Sequence, residues 1–416
     1  MNPRFDTVVG GKQAQRPRAI QALIRACGLG QRVGVTPRFV PDDLIAEARR
    51  RAKLQRLEPG GWRDGLTRLC RAIEDEAALH GLGRWIVREQ IVGHLVTRLR
   101  VDAFVEARPE VLERPLAPLL IITGMQRTGT TKLQRLLASD PRARALLSWE
   151  ALEPVPAAAV GTGQSDKRIA SAKRAESALR WMAPHFFAIH PVEHLAPEED
   201  VLLLDPSFRS TTPESIWSIP SFSRWLEGED LREAYTEYRR LLLILQHQRP
   251  GRWWVLKTPH HLEFLDELSA VIPEVKLVWT HRDPLTTVPS FCSMLYHGRR
   301  VYSDAVDPHV VGRDRSVKVA RMVERGLAFR DGGGDDRFLD VQYAELLAEP
   351  LAVIERIYAF MGQTLEPHAR AAIEGALAEQ VQHRYGVHRY SMADFGLDAD
   401  ELGELFGPYR ARFGFD

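Results

Sequence analysis

The chain has 416 residues, 44% apolar and 27% charged, and its 56 Lys and Arg against 55 Asp and Glu leave a formal charge of +1. That balance excludes wholesale disorder, and the length excludes a small stapled scaffold. Cys27, Cys70 and Cys292 are too few and too scattered for a disulfide framework or a closed zinc site, so they read as three buried thiols in a reducing compartment. No stretch approaches the ~18 uninterrupted apolar residues of a membrane span, and Met1 to Lys12 has no apolar segment behind its charges. A cytoplasmic protein is expected.

Charge is uneven along the chain. Residues 1–116 carry 21 Lys and Arg against 14 Asp and Glu (+7), and residues 117–416 carry 35 against 41 (−6). The densest basic run, Arg49 to Arg56, follows Asp42 and Asp43 on a helical pattern, which points to a solvated helix face and not to a nucleic-acid patch. Helical periodicity covers 18–27, 42–57, 62–80 and 84–107, each ended by Gly or Pro, so residues 1–116 form a helical N-terminal region.

From residue 117 the pattern changes. The run 116–123 is short, apolar and bounded by turn residues, as a strand buried on both faces should be, and Trp253–Leu256, Lys276–Thr280 and Phe338–Gln342 repeat it. Strands alternating with helices over residues 117–416 predict an α/β domain with a mostly parallel sheet and a ligand site at the carboxyl ends of its strands. Gly332-Gly333-Gly334, between acidic residues, reads as an exposed loop.

Directly after the first strand stands Gly124-Met125-Gln126-Arg127-Thr128-Gly129-Thr130-Thr131, followed by a helical spacing of Leu133, Leu136 and Leu137. Strand, glycine-rich turn and helix converge backbone N–H groups and a helix N-terminus on an anion. Thr130 and Thr131 add hydroxyl donors and Arg127 adds a fixed positive charge. The lysine that the triphosphate pattern G-x-x-x-x-G-K-[ST] requires is replaced by Thr130. A cation within the loop, with no evident metal-binding acid, suits transfer of a group bearing less charge than a phosphoryl.

Here the chain resembles the sulfotransferases that use 3′-phosphoadenosine 5′-phosphosulfate (PAPS), whose 5′-phosphosulfate loop has the form [KR]-[ST]-G-[ST]-T, present as Arg127 to Thr131. The family's second signature, a strand followed by an arginine and a serine eight residues on, is present as Arg282 and Ser290; the resemblance implies that both bind the 3′-phosphate. Phe338 to Leu346 looks like the family's strand-Tyr-x-x-Leu stretch, with Tyr343 toward the adenine. A bacterial branch is similar at Leu256–Leu262, His281–Pro284 and His388–Ser391, which offers Arg384 and Arg389 as further contacts to the phosphosulfate. The resemblance covers roughly residues 117–412. It implies a three-layer, P-loop-type parallel sheet flanked by helices, PAPS as co-substrate, adenosine 3′,5′-bisphosphate as product and no metal.

Sulfuryl transfer needs a base and several cations. Arg127, Lys257 at the end of its strand and the loop amides are candidates to stabilise the leaving oxygen. Two residues compete for the base, since the family divides between glutamate and histidine. Glu150, beside Trp149, is preferred because partial desolvation would raise its pKa toward neutrality; His261 is the alternative. His190 and His194, four apart around Pro191, do not fit a metal pair, and with Pro197 to Asp200 they are placed at the acceptor pocket. Trp181, Phe186, Phe187, Phe208, Trp217, Phe222 and Trp225 are candidate apolar walls for it. The expected acceptor is the hydroxyl of a small, apolar alcohol or phenol; no nucleic-acid partner is expected, and a homodimer is compatible with the sequence. The rival classes are a kinase or nucleotide hydrolase, argued against by the missing loop lysine, and a non-catalytic nucleotide-binding module. Neither explains Arg282 and Ser290.

Overall fold

The computed structural model describes residues 16–32, 34–157, 166–379 and 389–415. Four helices come first: α1 (Arg18–Arg32), α2 (Pro41–Ala52), α3 (Trp62–Glu76) and α4 (Gly81–Ala107). They fall where the periodicity puts them, but α2 and α3 stop four or five residues early. Lys53 and Ala78 adopt left-handed backbone (φ 55° and 46°), which ends a helix regardless of the apolar pattern beyond it. The basic run is neutralised in place: Arg50 and Arg51 pair with Glu47, Arg51 also with Glu89, and Arg56 with Glu58 and Glu106.

Five strands follow, β1 (Leu119–Gly124), β2 (Ala143–Ala145), β3 (Trp253–Lys257), β4 (Lys276–His281) and β5 (Phe338–Gln342), in the spatial order β2-β3-β1-β4-β5. Every pairing is parallel. One helix, α5 (Thr130–Leu137), joins β1 to β2. The long excursion from β2 to β3 carries α6 (Ser148–Leu152), α7 (Lys167–Met182), α8 (Pro184–Ile189), α9 (Thr212–Ile216), α10 (Pro220–Leu226) and α11 (Arg232–Gln248), and α12 (Leu265–Val271) leads to β4. Next come α13 (Pro284–Arg299) and α14 (Pro308–Phe329), then after β5 α15 (Tyr343–Ala348), α16 (Pro350–Phe360), α17 (Pro367–Glu379), α18 (Ala399–Leu405) and α19 (Gly407–Phe413). Several of these helices open with proline in the first turn, whose missing N–H costs nothing there; at α13 and α14 the preceding Asp283 and Asp307 accept from Leu285 N and His309 N.

Alternate residues along each strand face opposite layers. Leu120, Ile122, Val255 and Val278 pack with Leu133, Leu136 and Leu137 of α5 and Val353, Ile354 and Ile357 of α16. Leu119, Ile121, Trp254, Leu256 and Leu277 face the other way, into a core that continues through Leu66, Ile91, Leu95 and Leu99 of the N-terminal helices. Arg98 of α4 pairs with Glu237 of α11 and donates to Pro206 O (3.0 Å), and Arg240 pairs with Asp102 at 3.0 Å. The helical flank thus shares its core with the sheet. The glycine run is exposed at Gly332 and Gly333, as expected, and is a tight turn directly after α14 in which the helical path breaks at Gly333 (φ 107°) and Gly334 packs on the Phe329 ring.

The sheet is tightest where β1 ends. Gly124 has φ 134°, and a Cβ there would lie 2.5 Å from the carbonyl oxygen of Thr280 on β4. Gly124→Ala should therefore push two central strands apart and cost about 2 kcal/mol or more, read as a lower urea midpoint at unchanged m-value.

Candidate active site

The loop between β1 and α5 turns through two left-handed residues, Arg127 (φ 71°) and Gly129 (φ 88°). Such a turn aims successive amides at one point, next to the N-terminus of α5 where Thr130 is buried and Thr131 exposed. Only glycine fits at 129, because a Cβ would stand 2.9 Å from the Tyr343 ring. Thr128 differs from expectation. Its hydroxyl is fully buried, donating to Met125 O (2.7 Å) and bonded to Thr280 Oγ1 (2.6 Å), so the side chain clamps the loop to β4 and only the amide is left for a ligand.

The second half of the candidate site arrives on β4 and α13. Arg282 donates through Nη1 to Arg127 O (3.1 Å), its guanidinium lies 4.3 Å over the Tyr343 ring, and Ser290 Oγ accepts from Arg127 Nε (3.2 Å). Asp283 is no partner for Arg282; it caps α13 and faces Arg410 at 3.8 Å. Among the described residues neither Arg127 nor Arg282 is paired with a carboxylate. Burial and the neighbouring Arg282 charge together depress the Arg127 pKa, while Tyr390 and Tyr343 oppose them. Two guanidinium groups converging without an acid is the electrostatic signature of a site for a highly charged anion. Arg389 is exposed next to Tyr390, and Arg384 and His388 lie outside the described residues.

Lys257 ends β3 with its side chain 3% exposed and its Nζ 2.6 Å from Glu199 Oε1, a partner that sequence reasoning placed only in the acceptor wall. Glu199 is held in place by the segment before it. Residues 194–198 run antiparallel beside 146–149, through Ser148 N to Ala196 O, Trp149 N to His194 O and Glu198 N to Leu146 O. Gln134 of α5 also donates to Glu198 O (3.1 Å). His190 is half-buried nearby. Burial lowers its pKa, Glu198 and Glu199 raise it, and Lys257 and Arg127 lower it again, with a net depression that leaves the imidazole neutral at pH 7. His194 bonds Glu176 through Nδ1 (2.6 Å), tying the segment to α7.

Neither expected base stands in the open. Glu150 is 1% exposed and accepts two bonds from Arg144 (2.7 and 2.8 Å), two from Arg249 (2.8 and 3.2 Å) and one from Leu147 N (3.0 Å). Burial would raise its pKa as expected, but the two guanidinium groups outweigh burial and hold the carboxyl below its usual range. His261 is fully buried with Nε2 2.8 Å from Asp200 Oδ2 and Nδ1 2.8 Å from Tyr235 OH, so both ring nitrogens are occupied. Nor do the aromatics form one wall. Phe187, Phe208, Trp217 and Phe222 are core, Trp225 packs on Phe222, Trp181 is exposed, and Phe186 lies by His190, at 5.9 Å between rings. Among the described residues no cluster of His, Cys, Asp or Glu could hold a metal ion, and no helix is long and apolar enough to cross a membrane. The cysteines are free thiols, Cys70 and Cys292 buried with pKa pushed up to about 12, and Cys27 only partly covered.

A parallel sheet whose central strand ends in a cation-bearing glycine turn, faced by a second arginine from the neighbouring strand, defines an α/β protein of the P-loop type. The sequence profile of the Sulfotransferase family matches residues 118–367, more than half of the chain, and the chain belongs to that family. Its fold is similar to that of sulfotransferase STF9 from Mycobacterium avium (29% identity, TM-score 0.82, covering 90% of this chain and 96% of that one). Sulfotransferase STF1 from Mycobacterium tuberculosis H37Rv is likewise similar (30% identity, TM-score 0.75, 88% and 98% covered). A curated relative, the omega-hydroxy-beta-dihydromenaquinone-9 sulfotransferase Stf3 of Mycobacterium bovis, is 22% identical over 325 residues, 72% of this chain and 76% of that protein.

Removing Glu150 should act on stability. Glu150→Ala leaves the buried Arg144 without its carboxylate and is expected to cost about 3 kcal/mol or more in urea denaturation. Because the folded pKa is depressed, the stabilisation is complete above the ordinary value of 4.5 and is lost as pH falls below it, so the gap between wild type and variant should narrow in acid.

Proposed function

We propose that this sulfotransferase takes its sulfuryl group from PAPS and delivers it to the hydroxyl of a small, apolar alcohol or phenol, with His190 as the proton acceptor. The observation that carries the reading is the convergence of Arg127 and Arg282, neither paired with a carboxylate among the described residues, on the loop at the end of β1. These residues fit a donor with two anionic ends. The loop amides, Thr130 and Thr131 face the 5′-phosphosulfate, and Arg282 and Ser290 hold the 3′-phosphate. Tyr343, already under the Arg282 guanidinium, offers a ring face to the adenine, and Arg389 is close in sequence to Tyr390 at the edge of the site. The donor supplies an activated sulfuryl group: an acceptor oxygen–sulfur bond forms as the sulfur–oxygen bond to the phosphate breaks. Arg127 and Lys257 stabilise the charge that collects on the departing oxygen, with Glu199 holding the Lys257 ammonium in place.

The hydroxyl proton then passes to His190. Its lowered pKa keeps an imidazole lone pair available at neutral pH, and Glu198 and Glu199 beside it favour the imidazolium once formed. Glu150 and His261 serve as supports for this edge of the sheet. An apolar acceptor is supported by Phe186 against His190. The Stf3 relative, named for a hydroxylated dihydromenaquinone, supports a hydroxyl as the accepting group. A cytoplasmic site of action belongs to the same reading.

Calorimetric titration tests the donor. Adenosine 3′,5′-bisphosphate should bind in the micromolar range without metal, and Arg282→Ala should weaken it by about 2 kcal/mol, near thirtyfold; binding of Mg·ATP alone would overturn the reading. For the base, His190→Ala should lower kcat by about 10²-fold or more with little change in bisphosphate affinity. The acid limb of the wild-type kcat profile should fall below the ordinary histidine value of 6.5, and an unaltered profile in the variant would assign the proton elsewhere.

A further inference from the structure

The first described helix has a face the catalytic reading does not use. On α1 the inward side is Ile20 and Ile24, both buried, while Arg16 just before it donates to Arg300 O (3.1 Å) and Ser303 O (3.0 Å) and pairs with Asp304. Cys27 lies against Gly81 of α4, where a Cβ would meet its carbonyl at 2.5 Å. The helix is therefore fastened to the fold along one side only. The outward side carries Ala19, Ala22, Leu23, Ala26 and Leu29, all exposed, with Leu23 at 41% and Leu29 at 63%. At 100° per residue these five form one stripe covering about a third of the helix circumference. Arg18 and Arg25, also exposed, fall together along one margin of that stripe.

The segment of chain that carries this stripe has charge of a single sign, although Arg16 meets Asp304 from another part of the fold. Between Asp6 and Asp42 the chain contains Lys12, Arg16, Arg18, Arg25, Arg32 and Arg38 and no acidic residue. An exposed apolar stripe with Arg18 and Arg25 along its margin is the pattern of a helix lying in a lipid–water interface, and the basic excess of this segment selects an anionic surface.

A second observation joins the face to the chemistry. Beside α1 an opening is lined by Ile20, Leu82, Met182 and Phe186, with Arg16 and Arg300 at its polar side. Leu23 is one turn along from Ile20, exposed Trp85 is one turn along from Leu82, and exposed Trp181 precedes Met182. The far wall, Phe186, is the ring that lies against His190. We propose that α1 seats the enzyme on an anionic phospholipid bilayer and that this opening admits the apolar part of an acceptor taken from it. The docking itself stands on α1 alone; the passage of an acceptor rests on the function proposed above.

The test is flotation of the full chain with vesicles of pure phosphatidylcholine and with vesicles containing about one-third phosphatidylglycerol, with neither donor nor acceptor present. Wild type should float with the anionic vesicles at least tenfold more than with the neutral ones, and lose that preference in high salt. Leu23→Asp/Leu29→Asp and, separately, Arg18→Glu/Arg25→Glu should each reduce flotation about tenfold or more. Both pairs are surface changes, and sulfation of soluble p-nitrophenol should be unaltered in each. Equal flotation with both vesicle types, or flotation indifferent to both pairs of substitutions, overturns the docking. So does a wild-type dimer that Leu23→Asp/Leu29→Asp converts to monomer, because the stripe then faces a second copy. Loss of bisphosphate binding in titration would instead strike the proposed function and leave the flotation result standing.

Discussion

Two like charges, Arg127 and Arg282, are held near each other at the carboxyl end of the central strands, the Arg282 guanidinium on the Arg127 carbonyl, and much of the surrounding construction serves to keep them there. Repulsion between them raises the free energy of the empty fold. It is contained because Arg127 is in a left-handed turn that no relaxed arginine prefers, and because Arg282 is fastened to that turn's own carbonyl and to the Tyr343 face. The turn in turn depends on β1 and β4 approaching so closely that only glycine fits at 124, and on the buried hydroxyl pair Thr128–Thr280. Strain and repulsion concentrated at one point of an otherwise relaxed sheet are what a preorganised anion site requires.

Most of that arrangement could be read from the sequence, because each part has a local signature. Short apolar runs mark strands buried on both faces, and β1, β3, β4 and β5 lie where such runs occur. The three-residue β2 has no such run: Ala143-Arg144-Ala145 pairs with β3 only because Arg144 lies over Trp254 and reaches Glu150, contacts made with residues distant in sequence or across a turn. The loop, Arg282 and Ser290 were legible for the same reason as the strands, since their spacing along a strand–turn–helix unit determines where they meet.

The surroundings of the two candidate bases were not legible in that way. Glu150 has Trp149 as its neighbour in sequence, whereas its environment is set by Arg144 and Arg249, the second lying 99 residues further along the chain. Desolvation alone would have produced the expected upward shift; two hydrogen-bonded cations reverse it. His261 shows the complementary case. It stands four residues after Lys257 and is held on both ring nitrogens by Asp200 and Tyr235, which arrive from two other elements. The aromatics between the two donor motifs misled for a third reason: an aromatic residue fills a core as readily as it lines a pocket, and composition does not distinguish the two.

Those buried groups nonetheless determine where the chemistry can occur. Asp200 accepts from Tyr238 OH (2.6 Å) and is bonded to His261, both Asp200 and His261 fully buried, so residue 200 is fixed in place. Glu199 is the adjacent residue, and the antiparallel run 194–198 fixes the other side of it. With both sides held, the Glu199 carboxylate meets the Lys257 ammonium in one register, and His190 is left within the field of Glu198, Glu199, Lys257 and Arg127 together. A histidine surrounded by two acids and two cations has its basicity set by their balance and not by burial alone. The segment from His190 to Asp200 thus brings its own acids and imidazole beside the cations of β3 and of the loop after β1, and it owes its position to the buried Asp200, His261 and Tyr238 network.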